Sequence, residues 1–369
     1  MTRHYLDHAS TSPLRPAAVA AMVGWWEAGS SGDPGRIHHE GMTARVAIEQ
    51  ARERIAEFLG ARPREVILTS GATESIAAAC HGAAARGRHS VVAGVEHSAV
   101  REGAGRGPET LVPVDRTGRI DAAAVRDAVR DDTGLVHCQW ANHEVATIQP
   151  LDEIVAAVDG RALVHCDAAA AVGHVAVDFS SSGADLLSVS AHKFGGPTGV
   201  GALLVRRGLR LDPLLVGGDQ ERARRAGMEN VAAILGFAAT CDEVASRADT
   251  ESTDARRRTD RIVEWAGGFD GVEVIGDADQ RLPHMVCLAI DGVEPQAVLL
   301  GLDAAGIAVH SGSSCSSESI EPSPVLEAMG VDAQRSLRVS VGWSSADDDV
   351  DALLSTLPRV IADLRALRG

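Results

Sequence analysis

The first 205 residues alternate between short apolar, β-branched runs and Ala-rich stretches with helical periodicity. Strands are predicted at 66–70, 90–94, 111–114, 135–140, 163–167, 186–190 and 201–205. Helices are predicted around them at 44–59, 74–84, 122–129 and 151–158. Nearly continuous apolar strands that alternate with helices are typical of a mostly parallel sheet with both faces covered. The pattern therefore predicts an α/β fold whose ligands bind beyond the carboxyl ends of the strands.

The C-terminal part of the chain has a different pattern. A charged, helix-compatible stretch at 245–262 is expected to lead the chain out of the first sheet. Beyond it, a smaller α+β unit is predicted from strands at 272–275, 284–290 and 337–341 and helices near 296–305 and 348–367. We therefore expect an N-terminal segment over 1–14 that packs with the small domain, a large domain over 15–250 and a small domain over 251–369. Residues 311–319 are all small or polar and predict a mobile loop in the small domain.

Composition and charge exclude several classes of protein. The chain has 369 residues, of which 45% are hydrophobic, so it can form a large core. A formal net charge of −16 argues against direct nucleic-acid binding, which depends on the neutralisation of phosphates. No apolar run approaches the roughly 20 residues of a membrane helix, and the N-terminus lacks the apolar core of a signal peptide. We expect a soluble, cytoplasmic protein.

The six cysteines predict neither a disulfide framework nor a metal site, because no CxxC pair or zinc-type spacing occurs. Most of the first five have apolar neighbours and are expected to behave as core residues. Those five are Cys80, Cys138, Cys166, Cys241 and Cys287. Cys315 differs because it lies in the polar loop, where a thiol is accessible and can ionise.

Lys193 is the only lysine among the 35 basic residues. This composition indicates that arginine replaces lysine in this chain wherever a positive charge is sufficient. A guanidinium does not deprotonate, however, and cannot act as an amine nucleophile. The retention of this one lysine therefore indicates a Schiff-base or other amine-specific role. The alternative is a surface lysine that survived by chance.

Three strand ends carry candidate chemistry. A helix predicted to begin at Thr73 would offer free N–H groups to a phosphate, although Thr73 is equally suited to cap that helix. Asp167 ends an apolar strand and is either a buried carboxylate that needs a cation or a helix cap. Lys193 follows a later strand at the same sheet edge, and Ser190 and His192 beside it can donate to a phosphate.

Two further residues have both a structural and a functional interpretation. His97 follows a strand and could stack on a flat ring or move protons, although a histidine at a strand end is more often structural. Arg338 interrupts an apolar strand and could bind a substrate carboxylate, or it could form a structural ion pair.

Together, these residues resemble the cysteine desulfurases of the NifS/IscS type, which are class V aminotransferase-family enzymes. The resemblance covers nearly the whole chain, and its most specific motifs surround Lys193 and Cys315. The matching segments are YLDHAST, SGATES, VEHSAV, WANHEVATIQP, HCDAAAAVG, SAHKFGGPTGVGALLVRR, GGDQERARRAG, HSGSSCSSESIEPSPVLEAMG and SLRVSVGW.

The resemblance implies a fold-type I enzyme that uses pyridoxal 5′-phosphate, with the large domain binding the cofactor. Lys193 would bind the cofactor covalently, Asp167 would pair with the ring nitrogen and His97 would lie over the ring. The residues implied to complete the cofactor site, mainly around the phosphate, are Ala72, Thr73, Ser190 and His192.

The implied reaction converts L-cysteine to L-alanine. Cys315 would take the sulfur as a persulfide and pass it to a sulfur-acceptor protein, with Lys193 and His97 as the other catalytic residues. The residues implied to bind the substrate are Asn142, His143 and Arg338. The resemblance also implies a homodimer with the active site near the subunit interface.

Four positions depart from the family pattern. Ala170 replaces a glutamine, His143 an asparagine, Ala146 a glycine and Met228 a threonine. Three of these changes remove or alter polar contacts to cofactor or substrate. Two alternatives therefore stay open beside the desulfurase: a C–S or selenocysteine lyase on the same scaffold, and a weakly catalytic partner subunit of a sulfur-transfer system.

Overall fold

A computed structural model describes residues 2–311 and 322–367. Its central sheet consists of β2 (Val66–Thr69), β3 (His89–Ala93), β4 (Glu109–Val112), β5 (Thr133–His137), β6 (Leu163–Asp167), β7 (Leu186–Ser190) and β8 (Gly201–Val205). These strands lie in the order β2, β8, β7, β6, β5, β3, β4. The neighbours from β7 to β4 are parallel, whereas β8 is antiparallel to both β7 and β2. The predicted mostly parallel α/β sheet is confirmed.

The reversed direction of β8 has a local cause. Parallel neighbours need a crossover of about a dozen residues or more, usually containing a helix. Residues 191–200 between β7 and β8 contain only a 3₁₀ turn, Ala191–Phe194. Gly195 then has φ +95°, in the left-handed region, so the chain returns beside β7 in the opposite direction.

Helices cover both faces of this sheet. They are α1 (Pro16–Glu27), α2 (His39–Phe58), α3 (Ala72–Ala83), α4 (Ser98–Ala104), α5 (Ala122–Ala128), α6 (Leu151–Val158), the short α7 (Gln220–Ala223) and α8 (Val231–Gly267). Successive strand residues enter different cores: Leu186 joins the cluster that contains Ala79 of α3, and Leu187 joins the cluster that contains Phe237 of α8. This alternation explains why the strands are apolar along their whole length.

A second core surrounds a three-stranded antiparallel sheet in the order β12, β10, β9. The elements of this part are β9 (Val272–Ile275), β10 (Met285–Ile290), α9 (Pro295–Ala304), β11 (Ile307–Ala308), α10 (Pro324–Ala328), β12 (Ser336–Ser340) and α11 (Asp347–Ala366). The N-terminal strand β1 (His4–Tyr5) pairs with β11, and Leu6 enters this second core. The division at residues 14 and 250 stays a prediction, and residue 250 lies inside the continuous helix α8. No helix of the described chain is long and apolar enough to cross a membrane.

Candidate active site

A cavity of about 330 Å³ lies at the edge of the central sheet where β2, β5, β6 and β7 end. The cavity brings together most of the residues that the sequence singled out. They are Ala72, Thr73, His97, His143, Asp167, Ala170, Ser190, His192 and Lys193. The antiparallel strand β8 contributes its preceding turn, at Thr198 and Gly199. The site is therefore built by segments that follow or precede strands of one sheet.

One wall of the cavity is the N-terminus of α3. Gly71 is the N-cap residue and adopts φ +149°, so the helix begins at Ala72 and no side chain caps it. The capping interpretation of Thr73 is therefore wrong, because glycine precedes the helix and the Thr73 side chain is exposed. A Cβ atom on Gly71 would lie 3.4 Å from the Ser190 Oγ, which places this hydroxyl beside the helix start. Helical N–H groups and a hydroxyl together suit an anion.

The floor of the cavity contains the carboxyl group of Asp167. This residue is 8% exposed, and its Oδ1 accepts a hydrogen bond from the Ala169 N–H at 3.0 Å. Burial raises the pKa of Asp167, while the Ala169 N–H and the charges of His143 and Lys193 oppose the increase. The buried-carboxyl interpretation agrees with the structure, and a cation would stabilise this group. The helix-cap interpretation is wrong, because the described residues between β6 and β7 form no helix and the Ala169 N–H belongs to a turn.

Lys193 projects from the 3₁₀ turn that follows β7. Its Nζ donates hydrogen bonds to the carbonyl oxygens of Ala9 at 2.8 Å and Ser10 at 3.1 Å. Burial, and then the positive charge of Arg338, lower the pKa of Lys193 to about 8. The turn itself is held by Arg15, whose Nε donates to the Phe194 carbonyl at 2.9 Å. A partly deprotonated amine on a fixed turn is suited to act as a nucleophile.

Two histidines lie side by side in the cavity. The His97 Nδ1 accepts the Ala99 N–H at 3.0 Å, which caps α4, and its ring centroid is 5.0 Å from that of His143 in an edge-on contact. Burial is the main cause that lowers the pKa of His97 to about 3, with the charge of His143 the next cause. Burial likewise lowers the pKa of His192 to about 4. His97 and His192 are therefore neutral near pH 7.

Asn142 and Arg338, both implied to bind substrate, lie beside the cavity rather than among its lining residues. The Asn142 amide is buried, and within residues 2–311 and 322–367 it bonds only to backbone: Oδ1 accepts the N–H groups of Glu144 and Val145, both at 2.8 Å. The buried guanidinium of Arg338 donates to Asp7 Oδ1 at 3.1 Å and to the His143 carbonyl at 2.8 Å. The ion-pair interpretation of Arg338 is thus observed, and both substrate roles stay predictions.

Cys315 lies outside the described residues, as do residues 312–319 of its polar loop and the two residues that follow. Of the five other cysteines, Cys138, Cys166, Cys241 and Cys287 are buried, as predicted for core residues. Cys80 is half-buried, and burial raises the pKa of its thiol to about 11. None of these five combines exposure with a readily ionised thiol, which is the environment that favours reactivity.

Gln139 and Glu96 are among the polar residues of this region that were not predicted from the sequence. Gln139 follows β5 and lines the cavity, and its N–H donates to the Oε1 of Glu96 at 2.6 Å. Burial, and then the charge of Asp167, raise the pKa of Glu96 to about 8. A signal was available, because Glu96 and Gln139 are polar residues within three residues of the end of an apolar strand, and Asp167 is likewise at a strand end.

The four departures from the family pattern lie in different environments. Ala170 and His143 line the cavity. Ala146 is buried and has φ +69°, in the left-handed region that favours glycine. Met228 is 62% exposed, next to the loop in which Arg225 binds Glu74 of the cavity wall.

Comparisons with known proteins agree with this architecture. Residues 4–353 match the profile of the family described as Aminotransferase class-V. The chain is 39% identical to cysteine desulfurase IscS 1 of Archaeoglobus fulgidus, over 98% of each chain. It is 41% identical to the IscS-like cysteine desulfurase of Mycobacterium tuberculosis, over 98% of this chain and 97% of that protein. A solved structure of a NifS-like protein superposes with a TM-score of 0.92 at 29% identity, covering 98% of this chain and all of the other.

Sequence identity of this extent over almost the whole length, together with the matching fold, shows common descent. The chain belongs to the aminotransferase class-V family, in the branch that contains the IscS- and NifS-type cysteine desulfurases.

Proposed function

We propose that this protein is a pyridoxal 5′-phosphate-dependent cysteine desulfurase that converts L-cysteine to L-alanine. Sulfur passes through a persulfide on Cys315 to an acceptor protein. One observation carries the proposal: the only lysine of the chain shares a cavity with a buried aspartate and an uncapped helix N-terminus. The names of the similar proteins support the same reaction class.

The residues in the cavity suit the chemistry of this cofactor. The N–H groups of Ala72 and Thr73 and the polar groups of Ser190 and His192 suit a phosphate. Asp167 is a buried carboxyl that a protonated ring nitrogen would stabilise. When bound, pyridoxal phosphate supplies an electron sink for charge that develops at the substrate carbon.

The side chains of the protein supply the proton chemistry. Lys193, whose pKa is about 8, is partly neutral near pH 7 and can bind the cofactor and then move the proton at the substrate Cα. Arg338 would hold the substrate carboxylate. Its Nε is buried and has no hydrogen-bond partner within the described residues, so one donor is available for this role. At the Nη2 of Arg338, by contrast, the substrate carboxylate would have to compete with the carboxylate of Asp7.

A homodimer and a sulfur-acceptor protein complete the proposal. Exposed apolar side chains support association with another protein surface. Three of the most exposed are Ile37 at 91%, Val216 at 77% and Met228 at 62%. Surfaces of this kind often lie in subunit interfaces.

Alanine formation from L-cysteine tests the proposed function. Purified, cofactor-loaded protein is incubated with L-cysteine and a reductant, and alanine is quantified. We expect Lys193→Ala and Cys315→Ala each to reduce the rate by at least about 100-fold, because each removes a nucleophile. Cys80→Ala is the matched control, since the Cys80 thiol is half-buried and lies outside this cavity.

The outcomes separate the alternatives. Full turnover of the Cys315→Ala variant, with release of sulfide, would indicate a C–S or selenocysteine lyase. No alanine from the loaded wild-type protein, with candidate acceptors present, would contradict the desulfurase and favour a weakly catalytic partner subunit.

A further inference from the structure

A second imidazole lies where the family resemblance implies an amide. His143 lines the cavity together with Asp167 and Lys193, and its ring is 5.0 Å from the ring of His97. An asparagine amide can form hydrogen bonds but cannot take up a proton near neutral pH, whereas an imidazole can do both. This position therefore adds an acid–base group to the cavity.

A carboxylate lies beside this imidazole. The Glu144 Oε1 is 3.6 Å from the His143 Nε2, at ion-pair distance. The other carboxylate oxygen, Oε2, accepts a hydrogen bond from the Ser323 hydroxyl at 2.5 Å. Glu144 is 2% exposed, so its orientation is set by the surrounding protein rather than by solvent. Ser323, Glu144 and His143 thus form a chain of contacts that leads from the start of α10 to the cavity.

The backbone of His143 is fixed as well. The Arg338 Nη1 donates to the His143 carbonyl at 2.8 Å, and Asn142 accepts the N–H groups of the two residues that follow His143. An imidazole held from its backbone and paired with a buried carboxylate resembles the arrangement by which enzymes orient a general base.

The two imidazoles have different partners, and this difference indicates which of them can receive a proton from the substrate. His97 accepts a backbone N–H at its Nδ1, which occupies the lone pair and leaves this nitrogen without a proton. His143 instead has a carboxylate oxygen of Glu144 3.6 Å from its Nε2, so a proton on this ring lies beside a negative charge. Of the two imidazoles, His143 is therefore the one placed to receive a proton from the substrate.

We propose that His143 is a further catalytic residue of the reaction proposed above: it receives the thiol proton of the substrate and holds it beside Glu144. In this step the S–H bond breaks, its electron pair stays on sulfur, and an N–H bond forms on the imidazole. The proton later returns to the carbon that loses sulfur and becomes the methyl group of alanine. The inference rests on the proposed function.

The pH dependence follows from the groups that face His143. These are Glu144 beside it, His97 at the start of α4, and Asp167 and Lys193 on the cavity wall, with Arg338 at its carbonyl. A general base acts only in its neutral form, so kcat should fall on the acidic side of the wild-type pH profile and not in variants that lack the His143 imidazole. Glu144→Gln removes the negative charge beside the ring and should change this acidic limb.

The test compares wild type with His143→Asn, His143→Gln and Glu144→Gln. For each, kcat and KM for alanine formation from L-cysteine are measured between pH 5.5 and 9.5. We expect both His143 variants to lower kcat by about 10- to 100-fold, with KM within about threefold, and to lose the acidic limb. His81→Asn is the matched control, because His81 is exposed on α3 and lies outside this cavity.

A second readout does not depend on turnover. Imidazole signals of the histidine side chains are recorded by NMR in the isotope-labelled protein without cofactor. We expect one signal that is absent from His143→Asn and whose chemical shift changes in Glu144→Gln, because the carboxylate lies 3.6 Å from the His143 ring. An unchanged chemical shift in Glu144→Gln would overturn the pairing of Glu144 with His143.

The outcomes separate this inference from the proposed function. If wild type forms alanine and both His143 variants keep kcat within twofold with the same pH profile, His143 is not a proton carrier and the desulfurase proposal stands. If loaded wild type forms no alanine, the desulfurase proposal itself fails, and the catalytic role of His143 fails with it.

Discussion

In the proposed reaction, Lys193 has to lose a proton before its amine can attack, and its surroundings favour that loss. Its side chain is withdrawn from water and lies near the positive charge of Arg338, so the ammonium form is destabilised. Asp167 and Asp7 act in the opposite direction, because their negative charges stabilise the ammonium. The balance leaves the pKa of Lys193 at about 8, far below its ordinary 10.5. Near neutral pH, Lys193 is therefore present both as an ammonium that Asp167 and Asp7 stabilise and as the neutral amine that the proposed reaction requires.

The low pKa of Lys193 predicts how the protein without cofactor captures pyridoxal phosphate. The rate of covalent capture, followed by visible absorbance, is expected to rise with pH and reach half of its maximum near pH 8. In Arg338→Gln the midpoint should move to higher pH, because a charge that disfavours the ammonium is removed. Lys193→Arg is the control and should show no covalent capture. A wild-type midpoint above pH 9.5 would contradict the prediction.

At the scale of elements, the turn between β5 and α6 decides how His143 reaches the cavity. The Asn142 side chain binds the N–H groups at the start of this turn, and the Asn142 N–H donates to the Thr147 carbonyl at 2.8 Å. Between them, Ala146 adopts φ +69°, although it carries a Cβ atom. The left-handed conformation costs such a residue roughly 1–2 kcal/mol. The turn is therefore held in place against local strain by its hydrogen bonds.

Removing this strain should stabilise the protein. We expect Ala146→Gly to raise the free energy of unfolding by about 0.5–1 kcal/mol, because relief of the left-handed strain exceeds the added chain entropy of glycine. The measurement is urea unfolding. Ala156→Gly, at an exposed position in the middle of α6, is the matched control and should lower the same quantity by about 1 kcal/mol. A decrease of similar size in both variants would show that Ala146 is not strained.

At the scale of the whole molecule, buried neutral histidines join separate parts of the chain. His174 follows β6, and its ring stacks on that of His284, which precedes β10, with centroids 3.4 Å apart and an interplanar angle of 13°. His8, from the N-terminal segment, lies between the hydroxyls of Ser12 and Ser345. Burial lowers the pKa of His8 to about 4 and that of His174 to about 3, and it holds the pKa of His284 well below its ordinary value. The junction of the three segments therefore depends on uncharged imidazoles.

This arrangement predicts loss of stability in acid. In the unfolded chain these histidines bind protons below about pH 6.5. In the folded chain His8 does so only near pH 4 and His174 near pH 3, and the pKa of His284 is lowered as well. The free energy of unfolding therefore falls as the pH decreases from about 6.5 towards 4. Each such group contributes up to about 1.4 kcal/mol per pH unit. Urea unfolding at pH 7.5 and 5.5 should show a decrease of more than about 2 kcal/mol.

Substitution of one histidine of the junction checks the cause. His284→Gln should reduce the dependence of stability on pH. The unfolded variant binds one proton fewer in acid, whereas proton binding by the folded chain changes little because burial already lowers the pKa of His284 there. The exposed His81, changed to Asn, should leave that dependence unaltered. Equal stability of the wild-type protein at both pH values would contradict the prediction.

Much of the fold could be predicted because its signals are local. The strands β6, β7, β8 and β9 and the helix α6 have the bounds that apolar runs and helical periodicity predicted. The rule that ligands bind beyond the carboxyl ends of parallel strands placed Lys193 and Asp167 at one edge, and both line the same cavity. The role proposed for Lys193 could also be inferred without coordinates, since a lone lysine in an arginine-rich chain is a property of composition.

Other properties depend on contacts between residues that are distant in the chain. Burial beside Asp167 raises the pKa of Glu96, and the contact with Asp7 gives Arg338 its ion pair; neither contact is visible in a local pattern. The conformation of the turn after β5 likewise decides that the Asn142 side chain accepts the N–H groups of Glu144 and Val145. By itself, the sequence determined many of the elements and the candidate reactive side chains, because these follow from residue type and periodicity, and its motifs indicated the family. Only the tertiary structure decided which charges and imidazoles face one another, because desolvation and electrostatic coupling arise only when separate segments pack together.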